Sequence, residues 1–170
     1  MMVILGIDPG ITATGYGIIR LHEGGPTMEE CGTIKPEAKM PFPQRLNEIY
    51  GGVSKIIAAH KPNRIAIEDV FYGKNIRSTL AIGQARGVAI LASVRAGIEI
   101  SEYSPREIKR SVVGSGAASK EQVQFMVKEL LGLENPPSPA DAADALAVAL
   151  CHANRVSMDE LKEKLERGGC

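Results

Sequence analysis

Four carboxylates sit where chemistry is a better explanation than solvent contact: Asp8, Glu68, Asp141 and Asp144. Asp8 closes the apolar run Met2–Ile7 and is followed at once by Pro9-Gly10. A short run rich in β-branched residues and ended by turn punctuation reads as a strand buried on both faces. Alternation then puts Val3, Leu5 and Ile7 on one face and Ile4, Gly6 and Asp8 on the other. A carboxylate buried without a partner costs several kcal/mol, so Asp8 needs a cation, a set of donors or an exit to water. Glu68-Asp69 ends a second apolar run from Arg64, and Ile65 and Ile67 share the face of Asp69. Only one of the two acids can therefore join Asp8, and spacing leaves the choice open. Asp141 and Asp144 are three apart on a helical stretch, hence on one face about one turn apart, with two alanines between them. Two acids favoured by a helix N-terminus are the bland account of that pair. Four carboxylates able to meet in one place suit hard divalent cations, which prefer oxygen ligands. Such a cluster serves in-line hydrolysis of a phosphodiester, two cations about 4 Å apart holding the attacking water and the leaving oxygen. No histidine is required: His60 and His152 are expected on helix surfaces and His22 in a turn.

The acids must be positioned by strands and helices. Thr14–Leu21 and Thr27–Ile34, joined through the glycine-containing turn His22–Pro26, make a hairpin with the first strand. Phe42–His60 carries a helical apolar period, and Arg64–Glu68 is a second buried strand. Asn75 caps a long helix to about Arg95, and Gly97–Tyr103 is a third short strand. Ser104-Pro105-Arg106-Glu107 and Ser119-Lys120-Glu121-Gln122 both read as capped helix starts. A last strong helix covers 139–154, and Ser157–Arg167 is a charged segment of helical character. Strands separated by crossover helices run parallel, with the hairpin antiparallel on one edge. The chain is thus one α/β domain with a mixed five-stranded sheet flanked by helices, 1–156 forming the functional domain and 157–170 a charged C-terminal tail.

At 170 residues, 44% apolar and 24% charged, the chain suits a single globular domain. No apolar stretch approaches a membrane span, and the first residues lack the basic lead of a signal peptide. Cys31, Cys151 and Cys170 match neither a disulfide framework nor a zinc spacing, so a reducing cytoplasm is the expected setting. Twenty basic residues balance twenty acidic ones, which excludes a wholly basic nucleic-acid binder. The balance is uneven along the chain, however: residues 61–120 hold 10 Lys and Arg against 5 Asp and Glu. A polyanion would be drawn to that central third.

Gly6-Ile7-Asp8-Pro9-Gly10, Ile67-Glu68-Asp69-Val70-Phe71, Gly83-Gln84-Ala85-Arg86-Gly87 and Asp141-Ala142-Ala143-Asp144-Ala145 together resemble the RuvC-type Holliday junction resolvases (crossover junction endodeoxyribonucleases). The resemblance runs from about Met2 to Asn154 with motifs in the right order. It implies a ribonuclease H-like fold and a homodimeric endonuclease, magnesium-dependent with two ions per active site and manganese as a substitute. Such an enzyme nicks two opposing strands of a four-way DNA junction and works beside a branch-migration motor of the RuvA and RuvB type.

Carried over residue by residue, the resemblance makes Asp8, Glu68, Asp141 and Asp144 the catalytic acids and metal ligands, and it selects Glu68 over Asp69. Some relatives hold His at the position of Asp141, so the role of that acid is the least defined. The resemblance also places Lys109 and Lys120 near DNA, and Lys74 and Arg77 flank the loop after Glu68 where phosphates could be held. Phe71 is the aromatic expected to stack on unpaired bases, with Tyr72 packing inward. Gly83 and Gly87, on a helix with Leu80, Ile90, Leu91 and Val94, suggest close backbone approach, either to the chain's own sheet or across a two-fold dimer contact.

The rivals are weaker. The stretch 114–121 resembles a phosphate loop, but Ser119 precedes Lys120 where glycine is needed, and Glu121 replaces the magnesium-binding hydroxyl. The opening segment with Thr12 and Thr14 is similar to that of actin-like ATPases, which need a second lobe that 170 residues do not supply. A related nuclease acting on RNA would use the same carboxylates. A non-cleaving junction-binding module would gain nothing from four acids that repel DNA.

Overall fold

The computed structural model describes residues 1–69 and 75–168. Phe71, Tyr72 and Lys74, singled out above, lie outside them. The described elements run β1 (Met2–Asp8), β2 (Thr14–His22), β3 (Gly25–Ile34), α1 (Phe42–His60), β4 (Arg64–Glu68), α2 (Ile76–Arg95), β5 (Glu99–Tyr103), α3 (Pro105–Val113), α4 (Lys120–Leu130) and α5 (Ala140–Gly168). The sheet order is β3-β2-β1-β4-β5. β1, β4 and β5 are parallel, while β2 and β3 fold back antiparallel on one edge. This is the mixed five-stranded sheet expected from the strand order.

The two faces of β1 divide the core. Leu5 and Ile7, fully buried, pack with Ile65 and Ile67 of β4 against Ile49, Val53 and Ile57 of α1 and Ala85 and Ala89 of α2. Each of these Leu, Ile and Val side chains contributes about 1.5–3 kcal/mol by leaving water, and each alanine methyl less. Ile4 and Ala66 face the other way, toward α5, α3 and α4. Because alternation is strict, Asp8 and Glu68 at the strand ends share this second face.

α5 lies almost on the bare backbone of β1 and β2. A Cβ on Gly6 would stand 2.1 Å from the Ala145 carbonyl oxygen, and one on Gly15 would stand 2.0 Å from the Asp141 carbonyl oxygen. On the helix side of Gly6 the contact is made by Ala145 and Ala149, both fully buried. Alanine is also the best helix former, so local propensity and close packing agree here. The segment expected to stop near Asn154 continues without interruption to Gly168.

Three expectations change in detail. The turn between β2 and β3 is tighter than His22–Pro26: His22 pairs with Gly25, leaving only Glu23 and Gly24 between the strands. His152 is not on a helix surface. It is 5% exposed, and its Nδ1 lies 2.8 Å from the Tyr103 hydroxyl, because its turn of α5 is covered by β5 and α3. His22 ends β2, and His60 ends α1 between Glu29 and Glu30, with its Nδ1 2.8 Å from Glu29 and its Nε2 3.1 Å from Glu30. No helix among the described residues is long and apolar enough to cross a membrane.

Candidate active site

The loop after Asp8 is pinned from two sides. The Thr14 hydroxyl is fully buried, donates to the Gly10 carbonyl at 2.8 Å and accepts from the Gly10 amide at 3.3 Å. Arg45 reaches from α1 and donates to the Ile11 carbonyl at 2.7 Å. Farther along the sheet, Asn63 exchanges two hydrogen bonds with Val3, its side chain accepting from the Val3 amide and its own amide donating to the Val3 carbonyl. That pair fixes the start of the parallel register through which Asp8 and Glu68 finish at the same sheet edge. In the sequence Thr14 stands out only as the start of a strand and as part of a rival motif. Nothing in the sequence singles out Arg45, whose partner is a backbone atom 34 residues away.

Asp8, Glu68 and Asp144 line one cleft of about 280 Å³, with Lys109 and Lys120 on its rim and Pro105, Ile108 and Val123 as its apolar wall. Glu68 is thus on the working side of β4, as alternation requires if it joins Asp8. Asp69 turns away to an ion pair with Arg86 at 3.3 Å, and Arg86 also pairs with Glu102. A second hollow, beyond Asp8, is lined by Asp141, Arg77 and the loop 9–13. Asp8 is therefore the wall shared by two spaces, with Glu68 and Asp144 on one side and Asp141 on the other.

Burial, then the charges of Glu68 and Asp144, push the Asp8 carboxyl up to about 8. Burial also raises Glu68, while its hydrogen bond with Asp8 and the Lys120 and Lys109 ammonium groups hold it lower. Asp8 keeps the proton of the pair. Lys120 Nζ donates to Asp144 Oδ2 at 2.8 Å, and this contact raises the lysine above its ordinary value. Among the described residues no three carboxylates are already drawn up as a coordination sphere. The donor set nonetheless fits hard divalent cations: every candidate ligand is a carboxylate oxygen, and the buried pair carries a deficit of positive charge.

Of the residues expected at the site, Asp8, Glu68, Asp144, Lys109 and Lys120 meet in the cleft, and Asp141 and Arg77 meet in the adjoining hollow. Phe71 and Lys74 fall outside the described residues.

The RuvC family model, described as crossover junction endodeoxyribonuclease RuvC, matches residues 4–152. A RuvC of Pelotomaculum thermopropionicum is 45% identical over 97% of this chain and 100% of its own length. One from Tolumonas auensis is 53% identical over 91% of this chain and 88% of its own. Among solved structures, Thermus thermophilus RuvC in complex with a Holliday junction substrate superposes with a TM-score of 0.88 at 32% identity, covering 94% of this chain and 97% of that one. Fold and sequence agree, and the chain belongs to the RuvC family of crossover junction endodeoxyribonucleases.

Proposed function

We propose that this protein resolves four-way DNA junctions by hydrolysing one phosphodiester in each of two opposing strands. The observation that carries the reading is the cleft in which Asp8, Glu68 and Asp144 face Lys109 and Lys120, on a backbone matching a junction-bound relative. Acids without lysines would repel a phosphate, and lysines without acids would only bind one.

Asp8, Glu68, Asp144 and Asp141 are the oxygen donors that would hold divalent cations, magnesium at two per site with manganese as a substitute. When bound, such cations supply an activated water and neutralise the leaving oxygen. The chain's own groups do the remaining work. Lys109 and Lys120, which line the cleft, would donate to phosphate oxygens, and Arg77 would hold a neighbouring phosphate beside Asp141. The pinned loop 9–14 keeps Asp8 from following the substrate. The wall of Pro105, Ile108 and Val123 limits water on one side of the reacting group, which strengthens every charge interaction inside. Phe71 and Lys74 complete the reading as a base-stacking aromatic and a phosphate contact.

Two cuts need two active sites, and a homodimer supplies them. Along the outside of α2 run Ile76, Leu80, Gly83, Gly87, Leu91 and Val94, all exposed, and a Cβ on either glycine would meet nothing within 4 Å. The glycines therefore do not serve packing on the chain's own sheet, and the ridge fits a second copy. Residues 1–156 form the nuclease domain in this reading, with 157–170 as a charged extension. The setting is cytoplasmic, beside a branch-migration motor of the RuvA and RuvB type.

The test is magnesium-dependent cutting of a synthetic four-way junction, compared with linear duplex and an RNA–DNA hybrid. Paired nicks confined to the junction, and lost in Asp8→Asn while binding remains, are expected. Cutting of the hybrid alone would move the substrate to RNA. Binding without cutting by the wild type would leave a junction-binding module.

A further inference from the structure

α3 is a wall of two spaces. Pro105, Ile108 and Lys109 face the acidic cleft, while Glu107, Arg110 and Ser111 face a separate groove of about 840 Å³. The far wall of that groove is the distal part of α5, with Asn154, Arg155, Asp159 and Lys162, and buried Tyr103 and Cys151 form its floor. These α5 residues follow position 152, where the family match ends.

The charges in the groove are not equivalent. Glu107 is occupied: its Oε2 accepts from the Ser104 amide at 2.9 Å and from the Ser104 hydroxyl at 2.6 Å, closing the cap of α3. Asp159 lies 3.8 Å from Lys162 on its own helix. Arg110 and Arg155 are exposed and, among the described residues, neither guanidinium has a hydrogen-bonded acceptor or an ion-pair partner within 4 Å; both feel Glu107 only through space. The walls are held at a fixed spacing, because Asn154 donates to both the carbonyl and the hydroxyl of Ser111 at 3.2 Å. A pre-set groove with two uncommitted guanidinium groups is a site for phosphate oxygens, which arginine meets with paired donors.

We propose that this groove binds the phosphate backbone of nucleic acid, namely the arm of the junction that leaves the active site across α3. The inference rests on the junction-cutting reading above. Scale supports it: a helix with its side chains is about 10–12 Å across, and phosphates along one strand rise about 3.4 Å each, so the groove lies about three nucleotides from the cleft. Lys109 and Arg110 are consecutive, so α3 presents one cation to each space. An acidic peptide would meet the same two arginines, but nothing joins a peptide to the cleft, whereas a DNA strand in the cleft can run on across α3, which walls both spaces.

The experiment is equilibrium binding of a synthetic four-way junction in Ca²⁺ across a salt series, with wild type and Arg110→Ala/Arg155→Ala. Loss of two phosphate contacts should weaken binding about tenfold near 0.1 M salt and reduce the slope of log affinity against log salt by about 1.8. Single-turnover cutting in Mg²⁺ at saturating protein should stay within about twofold of wild type, since neither arginine lines the cleft. Arg110→Lys/Arg155→Lys should recover most of the salt slope, which a merely structural role would not predict. Wild-type cutting together with an unchanged slope in the alanine variant overturns the groove while leaving the junction reading intact. Failure of the wild type to bind or cut the junction overturns both. Loss of binding to a labelled polyglutamate peptide, with junction binding unchanged, would assign the groove to an acidic protein instead.

Discussion

Lys120 Nζ stands 2.8 Å from Asp144 Oδ2, although Lys120 is the first residue of α4, where the helix dipole disfavours a cation by about 0.3–1 kcal/mol. The lysine side chain is 67% exposed and the aspartate 16%. An ion pair with one partner in solvent is worth about 1 kcal/mol or less, so a better anion or a better cation can separate it. The pair keeps Asp144 neutralised while the cleft lacks phosphate, and it leaves an ammonium beside the place a phosphate would enter.

Replacing Lys120 by Met should therefore act in opposite directions on two measurements. Asp144 becomes free, so calorimetric Ca²⁺ binding without DNA should tighten. Junction cutting should fall about 10²-fold or more, the usual cost of losing one charged donor to a reacting oxyanion. Weaker Ca²⁺ binding in the variant would show that the ammonium does not compete for the acids.

Asp8 should destabilise the cation-free protein at neutral pH. Its ordinary value is 3.8 and its folded value about 8, so between these limits the folded chain holds a proton that the unfolded chain has released. Stability then falls as pH rises through that window. Asp8→Asn removes the penalty and should stabilise the protein in EDTA at pH 8 by about 1–3 kcal/mol, with a smaller gain at pH 5. Urea unfolding at the two pH values measures this. Equal stability of variant and wild type at pH 8 would contradict the burial and charge repulsion assigned to the site.

Much of this arrangement is legible from residue order because it rests on period and punctuation. β4 and α1 begin and end at the residues expected, since each is a clean apolar pattern between turn signals. The four acids are visible for the same reason: they end strands or sit three apart on a helix. What is not legible depends on contacts between distant segments. Gly6, Gly15 and Gly17 look like ordinary small residues, yet each faces α5 at a distance that excludes a Cβ. His152 looks amphipathic in sequence but is covered by an element 49 residues away. The division of the acids between two spaces is likewise a fact of three dimensions, because spacing says that Asp141 and Asp144 share a helix face and not which hollow each enters.

Gly15→Ala tests whether that contact positions the site. The added Cβ would meet the Asp141 carbonyl oxygen at 2.0 Å and its carbon at 2.6 Å, both backbone atoms that cannot rotate aside. Overpacking of this kind costs about 1–3 kcal/mol, and the helix must move to relieve it. Thermal unfolding should show the loss, and junction cutting should fall further than stability alone explains. Gly24→Ala, with open space around it, serves as the control on the same hairpin.

His152 should make stability depend on pH in the opposite sense from Asp8. Burial, then Arg64, lowers it from 6.5, so as pH falls below 6.5 the unfolded chain takes up a proton that the folded chain refuses. Stability from this residue is intact above 6.5 and declines as the medium is acidified. His152→Gln removes the titration, so the difference in unfolding free energy between wild type and variant should change between pH 7 and pH 5, whatever its value at pH 7. A constant difference would mean that the imidazole reaches a proton acceptor in the folded state.

The outer ridge of α2 gives the most direct test of the assembly. Leu80 is 62% exposed and Leu91 50%, and with Gly83 and Gly87 between them they form an apolar strip that a monomer would leave in water. Leu80→Glu and Leu91→Glu each place a carboxylate where a two-fold contact would bring it close to its own copy, so repulsion and desolvation add. Sedimentation should show dimers for the wild type and monomers for the paired variant, with little change in thermal unfolding monitored at low concentration. Junction cutting by that monomer should leave single nicks in place of paired ones. A wild type that sediments as a monomer yet still makes paired nicks would require the junction itself to bring two chains together.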